Sequence, residues 1–226
     1  MKRQTIQRVT KIAAFASLTL WSVGASAGSA LAHHPLSGMP METFGQGLLS
    51  GIGHPVLGFD HLFFVVAMGI AGAVLGSPYC APLGYIAAMV LGVGLMASGI
   101  VLPLIEPIIV LSLLVAGGAL AAGKGTLLQM AVPLFALFGL SHGAAFGDSI
   151  AAQESAGMAV LIGYLLGLAA VQYAVALGAG ALMLRMTGGA ENALQPRLAG
   201  AMVAGVGVFL ALEALEGATF SALGIG

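Results

Sequence analysis

Six apolar segments follow one another along this chain, each long enough to cross a membrane as a helix. They cover roughly residues 46–75, 83–101, 104–121, 126–146, 157–184 and 198–217. A helix of about 20 residues crosses a hydrocarbon layer about 30 Å thick. Prolines, glycines and short polar stretches separate the segments, as expected at helix ends. The sequence therefore predicts an all-α membrane protein, a polytopic helical bundle of six transmembrane helices.

The composition supports lipid contact for most of the chain. Of the 226 residues, 59% are apolar and only 7% are charged, whereas soluble domains carry about 25% charged residues. The 35 glycines favour close helix packing inside a membrane. The single cysteine, Cys80, excludes an intramolecular disulfide and a metal cluster built from cysteines.

Residues 1–32 have the three parts of a cleavable secretory signal peptide. A basic region comes first, a short apolar stretch follows, and a small-x-small sequence ends at Ala32. An uncleaved first transmembrane helix is the alternative. Cleavage leaves residues 33–226 as the transmembrane domain, with His33 at its N-terminus and His34 next to it. The free α-amine and the first imidazole would then form a chelate that suits late first-row divalent metals.

The basic residues predict how the chain is oriented. Beyond the signal peptide they are Lys124, Arg185 and Arg197, and all three lie in or beside alternate loops. If the mature N-terminus is outside, these loops fall inside, as the positive-inside rule requires. Six spans then place both termini in the periplasm of a multi-pass protein of the bacterial inner membrane. Most acidic residues lie on or toward the outer half, where they attract cations.

The stretch GHPVLGFDHLFF, residues 53–64, carries two histidines and an aspartate inside the first apolar segment. In one continuous helix, His54 and His61 differ by about 20° and share a face. Asp60 lies beside that face, and Gly58 leaves space between the two imidazoles. Nitrogen and carboxylate donors of this kind suit Ni²⁺, Co²⁺, Zn²⁺ or Cu²⁺ better than Mg²⁺ or Ca²⁺.

These polar residues have two explanations. They either form hydrogen bonds between helices, or they mark a path for an ion. A charge at membrane depth costs about 2.5–3.5 kcal/mol on insertion scales, and such residues usually mark an ion or proton path. Two histidines and an aspartate in so short a stretch favour the functional explanation.

A second motif, SHGAAFGD at residues 141–148, ends the fourth apolar segment. His142 lies in the predicted outer half of the membrane, with His54 near the outer mouth and His61 deeper, so we expect the three to converge between the outer face and the midplane. The spacing from His54 to Asp60 is repeated from His142 to Asp148. Chance similarity in a chain rich in glycine and alanine accounts for this echo, and a 3+3 inverted repeat is the alternative.

Further polar residues occur in the last two segments. Glu213 and Glu216 share a face of the sixth segment, and each is either a metal ligand or a hydrogen-bonding residue of the core. Gln172 and Tyr173, near the middle of the fifth segment, are expected to form hydrogen bonds in the core.

The sequence HPVLGFDH resembles the His-Pro-x-x-Gly-x-Asp-His signature of the HupE/UreJ family of nickel and cobalt permeases at every fixed position. The whole chain is similar too, with a signal peptide, six spans, outer termini and a second histidine motif in span four. The resemblance implies that His54, Asp60 and His61 are transport residues and that His142 is their partner.

The second motif departs from the family's second signature, Phe-His-Gly-x-Ala/Val-x-Gly-x-Glu. Ser141 stands where the family has Phe, and Ser149 stands where it has Glu. Asp148, one residue earlier, is therefore the expected acidic ligand of this motif.

Taken together, these features predict a secondary permease that imports Ni²⁺ or Co²⁺ from the periplasm into the cytoplasm, and not an enzyme. The absence of a Walker motif argues against ATP hydrolysis by this chain. The expected partners are the divalent ion and the lipid bilayer, with no nucleic acid and no resident cofactor. The expected metal-ligating residues are His33, His34, His54, Asp60, His61, His142, Asp148 and Glu213. The alternatives are a membrane metalloenzyme, a haem protein with two histidine ligands (His61 and His142), and a permease for Cu²⁺ or Zn²⁺.

Overall fold

The computed structural model describes residues 41–123, 125–151, 157–188 and 193–224. Within these ranges the chain forms seven α-helices and no strand. The helices are α1 (Phe44–Leu57), α2 (Phe59–Val74), α3 (Cys80–Ala97), α4 (Ile105–Ala122), α5 (Thr126–Ala151), α6 (Met158–Thr187) and α7 (Leu194–Leu223). The predicted all-α fold class is confirmed. The expected signal peptide with its cleavage site, His33 and His34 lie outside the described residues.

Five of these helices, α3 to α7, are each long and apolar enough to cross a membrane. The helices α1 and α2 reach the necessary length only together, and they are bent by 80° at the break between them. If this pair is one broken span, the total is the six that the sequence predicts. The remaining bounds differ from the predicted ones by a few residues at either end, where helices fray.

The helix α2 is at the centre of the bundle. It contacts each of the other six described helices, and nearly all of its residues from Phe64 to Ala73 are buried. The most extensive pairings around it are α3 with α5, α1 with α6, and α4 with α7. This arrangement surrounds α2 with other helices from Phe64 onward, and His61 of the first histidine motif is buried three residues before that stretch.

Glycines allow the paired helices to approach closely. A Cβ atom at Gly51 of α1 would overlap the carbonyl oxygen of Tyr164 on α6. A Cβ at Gly143 of α5 would overlap the carbonyl oxygen of Met89 on α3 in the same way. Close backbone contact of this kind is how small residues hold transmembrane helices together, and it sets the spacing of the elements that carry the histidines.

The break between α1 and α2 follows from Pro55 and Gly58. Pro55 lies inside α1 and has no backbone N–H to bond to the preceding turn. Gly58, with φ −80° and ψ 103°, is extended rather than helical and joins the two helices. The prediction that His54 and His61 share one helix face is therefore wrong, because His54 belongs to α1 and His61 to α2.

Candidate metal site

Three buried histidines lie together at the bend between α1 and α2. His54, His61 and His142 are 8%, 6% and 0% exposed. The ring centroids of His54 and His61 are 6.2 Å apart, and those of His61 and His142 are 4.9 Å apart. The Nδ1 atoms of His61 and His142 are separated by 2.7 Å, which is a hydrogen-bond distance. The bend, and not a shared helix face, brings the first motif's histidines together with that of the second.

Asp60 is the acidic member of this cluster. It lies in the first turn of α2, directly before His61. Its Oδ2 atom is 3.7 Å from Nε2 of His61, and its side chain is 26% exposed, compared with 7% for that of His61. The positive end of the helix dipole favours an ionised carboxylate in this turn. Asp60 therefore adds an acidic group at the more accessible edge of the cluster.

His142 has a partner at each ring nitrogen. Its Nδ1 faces His61, and its Nε2 is 3.0 Å from Oγ of Ser112 on α4. The Ser112 hydroxyl donates a hydrogen bond of 2.6 Å to the carbonyl oxygen of Ile109, one turn earlier. Phe64 stacks on the His142 ring, with centroids 4.6 Å apart and an angle of 27° between the planes. These contacts fix the orientation of the imidazole.

His54 is in contact with α6 through Tyr164. The Tyr164 hydroxyl is 2.9 Å from Nδ1 of His54 and donates a longer hydrogen bond of 3.3 Å to the carbonyl oxygen of Phe146. The Phe146 ring is 5.1 Å from the His54 ring and 4.3 Å from the His61 ring. An aromatic side chain therefore packs against both histidines of the first motif.

A second buried polar network adjoins the histidines. The Tyr85 hydroxyl donates a hydrogen bond of 2.8 Å to Oε1 of Gln172, and Nε2 of Gln172 donates to the Met89 sulfur at 3.0 Å. The Tyr85 ring is 5.8 Å from the His142 ring. The predicted core hydrogen bonding of Gln172 is confirmed, whereas Tyr173 is half-buried and forms no hydrogen bond within the described ranges.

The other predicted acidic ligands have no hydrogen bond or ion pair with the histidines in the part of the chain that the structure describes. Asp148 is exposed near the end of α5, and Glu213 is half-buried on α7. Glu106, which the sequence did not single out as a ligand, lies in the first turn of α4. It is near enough to Asp60 and Asp148 for their charges to interact with its own.

The described conformation does not hold a complete ligand set. No three His, Cys, Asp or Glu side chains among the described residues are grouped closely enough to hold one metal ion. The arrangement instead offers one pair of donors, Nε2 of His61 and Oδ2 of Asp60. His142 lies behind this pair, hydrogen-bonded to His61.

Two residues that bind the histidines, Ser112 and Tyr164, were not predicted from the sequence. Each lies inside an apolar segment, where the sequence does not tell which neighbouring helix a lone hydroxyl faces. A weak signal for Tyr164 does exist, because the dipeptide Gly-Tyr occurs in span two at residues 84–85 and in span five at 163–164.

Comparison with known proteins identifies a family and a relative. The family model described as HupE / UreJ protein matches residues 20–210, which include both histidine motifs. Protein HupE of Rhizobium leguminosarum bv. viciae is 30% identical over 168 residues, which cover 73% of this chain and 84% of that protein. No solved structure matches the chain. On the extent of these matches, the chain belongs to the HupE/UreJ family.

Proposed function

We propose that this protein is a secondary permease that imports Ni²⁺ or Co²⁺ from the periplasm into the cytoplasm. The HupE/UreJ family is associated with nickel and cobalt uptake, and the chain carries imidazole and carboxylate donors inside a bundle of membrane helices. In this proposal the protein lies in the inner membrane with both termini in the periplasm. Its transport residues are His54, Asp60, His61 and His142.

One observation carries the proposal, namely the distance between His61 and Asp60. Metal–nitrogen and metal–oxygen bonds of about 2.0–2.2 Å allow two ligand atoms of one ion to lie up to about 4.2 Å apart. The 3.7 Å between Nε2 of His61 and Oδ2 of Asp60 is within this limit. A divalent ion can therefore bridge the two atoms with little movement of either side chain, and the carboxylate offsets half of its charge.

The small number of donors suits transport better than permanent binding. A permease must release its ion, so the free energy of binding at each step has to be moderate. His142 is hydrogen-bonded to His61 and is the next imidazole along the proposed path. His54 reaches the same group from α1. We propose that the ion passes from one donor pair to the next as these hydrogen bonds exchange.

The remaining predicted ligands have supporting roles in this proposal. His33 and His34 would capture the hydrated ion outside the membrane, where an amine and an imidazole can bind but not conduct it. That Asp148 and Glu213 are metal ligands stays a prediction. Their charge would raise the concentration of cations near the outer face.

The test is metal uptake by cells that lack their own nickel and cobalt importers. We expect Asp60→Asn and His61→Ala to reduce uptake of radioactive nickel or cobalt to near background, with normal amounts of protein in the membrane. Asp60→Asn keeps the side chain's size and removes only the anion that offsets the charge of the ion. Purified protein in liposomes should also take up the metal without ATP.

Glu216→Gln is the matched control, because it makes the same one-atom change at an acid of α7 that is exposed and forms no hydrogen bond or ion pair among the described residues. It should retain uptake close to that of the unaltered protein. Normal transport by Asp60→Asn and His61→Ala would contradict the proposal and would leave the cluster as a structural hydrogen-bond network. A Soret absorbance band in the purified protein would instead favour a haem protein.

A further inference from the structure

Ser112 occupies an unusual position for a serine in a transmembrane helix. It is fully buried, as is His142, and its Oγ atom lies within hydrogen-bond distance of two groups. One is the carbonyl oxygen of Ile109 at 2.6 Å, and the other is Nε2 of His142 at 3.0 Å. A serine hydroxyl has a single proton, so it can donate to only one of these groups.

The carbonyl oxygen decides where that proton lies. A carbonyl has no hydrogen to donate, and two oxygen atoms 2.6 Å apart need a proton between them. The Ser112 hydroxyl therefore donates to Ile109, and its oxygen can only accept from His142. It follows that Nε2 of His142 carries a hydrogen and that Nδ1 of the neutral ring has a free electron pair.

The same reasoning extends to His61. Its Nδ1 is 2.7 Å from Nδ1 of His142, so His61 has to be the donor in that contact. A neutral His61 with a hydrogen on Nδ1 has its electron pair on Nε2, which is the atom 3.7 Å from the Asp60 carboxylate. The order of donation therefore runs from His61 to His142, then to Ser112, and ends at the backbone of α4.

We infer that Ser112 is a positioning residue: it fixes the tautomer of His142 so that His142 accepts from Nδ1 of His61, and His61 then presents the electron pair of Nε2 to the metal path. This inference rests on the proposed function, because the metal path gives the electron pair on Nε2 of His61 a purpose. A metal-binding histidine commonly donates its other N–H to a partner that fixes its tautomer and orientation. Here the partner of His61 is His142, and Ser112 ensures that His142 can accept.

Tautomers are the most direct readout of this role. In the purified, metal-free protein labelled with ¹⁵N-histidine, NMR distinguishes ring nitrogens that carry hydrogen from those that do not. We expect His142 to carry its hydrogen on Nε2 and His61 to carry its hydrogen on Nδ1, with signals assigned by replacing one histidine at a time. Ser112→Ala should produce a mixture of tautomers at both rings, and Ser112→Thr, which retains the hydroxyl, should restore the single pattern.

Metal dependence gives the second readout. Loss of a group that orients a metal ligand typically costs about 10–100-fold in metal affinity. We expect Ser112→Ala to raise the half-saturating nickel or cobalt concentration by this factor, while the maximal uptake rate changes less. The matched control is Ser50→Ala, because the Ser50 hydroxyl is also buried but has no hydrogen-bond partner among the described residues. Ser50→Ala should leave both the tautomers and the half-saturating concentration unchanged.

The outcomes separate this inference from the proposed function. Opposite tautomers in the unaltered protein, or an unchanged pattern in Ser112→Ala, would overturn the role of Ser112. An equal loss of affinity in Ser50→Ala and Ser112→Ala would also overturn it, because any buried hydroxyl would then have the same effect. If the expected tautomers are found but the protein transports neither metal, the permease proposal fails and the hydrogen-bond order stands. Ser112→Ala alone decides the question if the extra methyl group of threonine prevents folding.

Discussion

At the scale of single residues, the histidines differ in how their positions are secured. His142 has hydrogen-bond partners on α2 and α4, and the partners of His54 include a hydroxyl from α6. The Tyr164 hydroxyl donates to the carbonyl oxygen of Phe146 and lies within hydrogen-bond distance of Nδ1 of His54, so it ties α6 to α5 as well as to α1. The orientation of His54 therefore depends on the packing of two other helices.

Replacing Tyr164 by phenylalanine tests this dependence. The change removes only the hydroxyl, and a net hydrogen bond is worth about 0.5–1.5 kcal/mol. We expect Tyr164→Phe to raise the half-saturating metal concentration about tenfold or less, which corresponds to at most ~1.4 kcal/mol. Tyr173→Phe, on the same helix, removes a hydroxyl without a hydrogen bond in the described ranges and should have no effect. Equal uptake curves for the two variants would show that the hydroxyl of Tyr164 does not orient His54.

The histidines and the aspartate could be found from the sequence because they are polar residues in apolar segments. The ionisable side chains of His54, Asp60 and His61 are conspicuous because the residues around them in the segment are apolar. Their partners could not be found in this way. Ser112 and Tyr164 acquire their roles only from the packing of α4 against α5 and of α6 against α1, and a hydroxyl in an apolar run has no periodicity to indicate its partner.

At the scale of helices, the break at Gly58 determines the geometry of the site. Its N–H donates to the carbonyl oxygen of His54, and its own carbonyl oxygen accepts from Leu62, so the joint between α1 and α2 remains hydrogen-bonded. Pro55 and Gly58 are visible in the sequence, but the sequence predicts one continuous helix over this stretch and not a bend of 80°. The reason is physical, because proline and glycine permit a break while the helices packed around α2 determine its angle.

A methyl group at Gly58 should therefore damage the site without damaging the fold. The φ of −80° is accessible to alanine, so the backbone itself is not strained. A Cβ atom would, however, lie 2.9 Å from Cδ2 of His61 and 3.2 Å from Oδ1 of Asp60. We expect Gly58→Ala to insert normally and to lose most metal uptake, because the two donors are pushed out of their arrangement.

Gly45→Ala is the control for this experiment, because a Cβ at that position of α1 has no atom within 4 Å. It should keep normal uptake. Membrane protein levels and thermal unfolding in detergent should be similar for both glycine variants and the unaltered protein. Uptake by Gly58→Ala equal to that by Gly45→Ala would argue against a site at the bend.

At the scale of the whole molecule, the helix pairing agrees with an exchange of the two halves of the chain. The first span, α1 and α2, packs on α6, and the fourth span, α5, packs on α3, while α4 and α7 pair with each other. Exchanging spans one to three with spans four to six interchanges the first two of these pairings and leaves the third, between α4 and α7, unchanged. The tyrosines follow the same exchange, since Tyr164 lies beside His54 and Tyr85 beside His142. Such a pattern is expected of a 3+3 inverted repeat. The helix packing therefore points to the same relation between the halves as the equal spacing from His54 to Asp60 and from His142 to Asp148.

The orientation of the chain in the membrane has to be tested, because the bent pair α1–α2 allows two topologies. If the pair crosses the membrane, six spans place the C-terminus in the periplasm and put Lys124, Arg185 and Arg197 on the cytoplasmic side. If the pair instead enters and leaves on one side, five spans reverse the position of every later loop and expose those basic residues to the periplasm, against the positive-inside rule. We therefore expect a reporter enzyme that is active only in the periplasm to be active when fused after Gly226 and silent when fused at Lys124 or Asn192. The reverse pattern would mean that α1–α2 is re-entrant, and the histidine cluster would then form the end of a cavity rather than part of a crossing path.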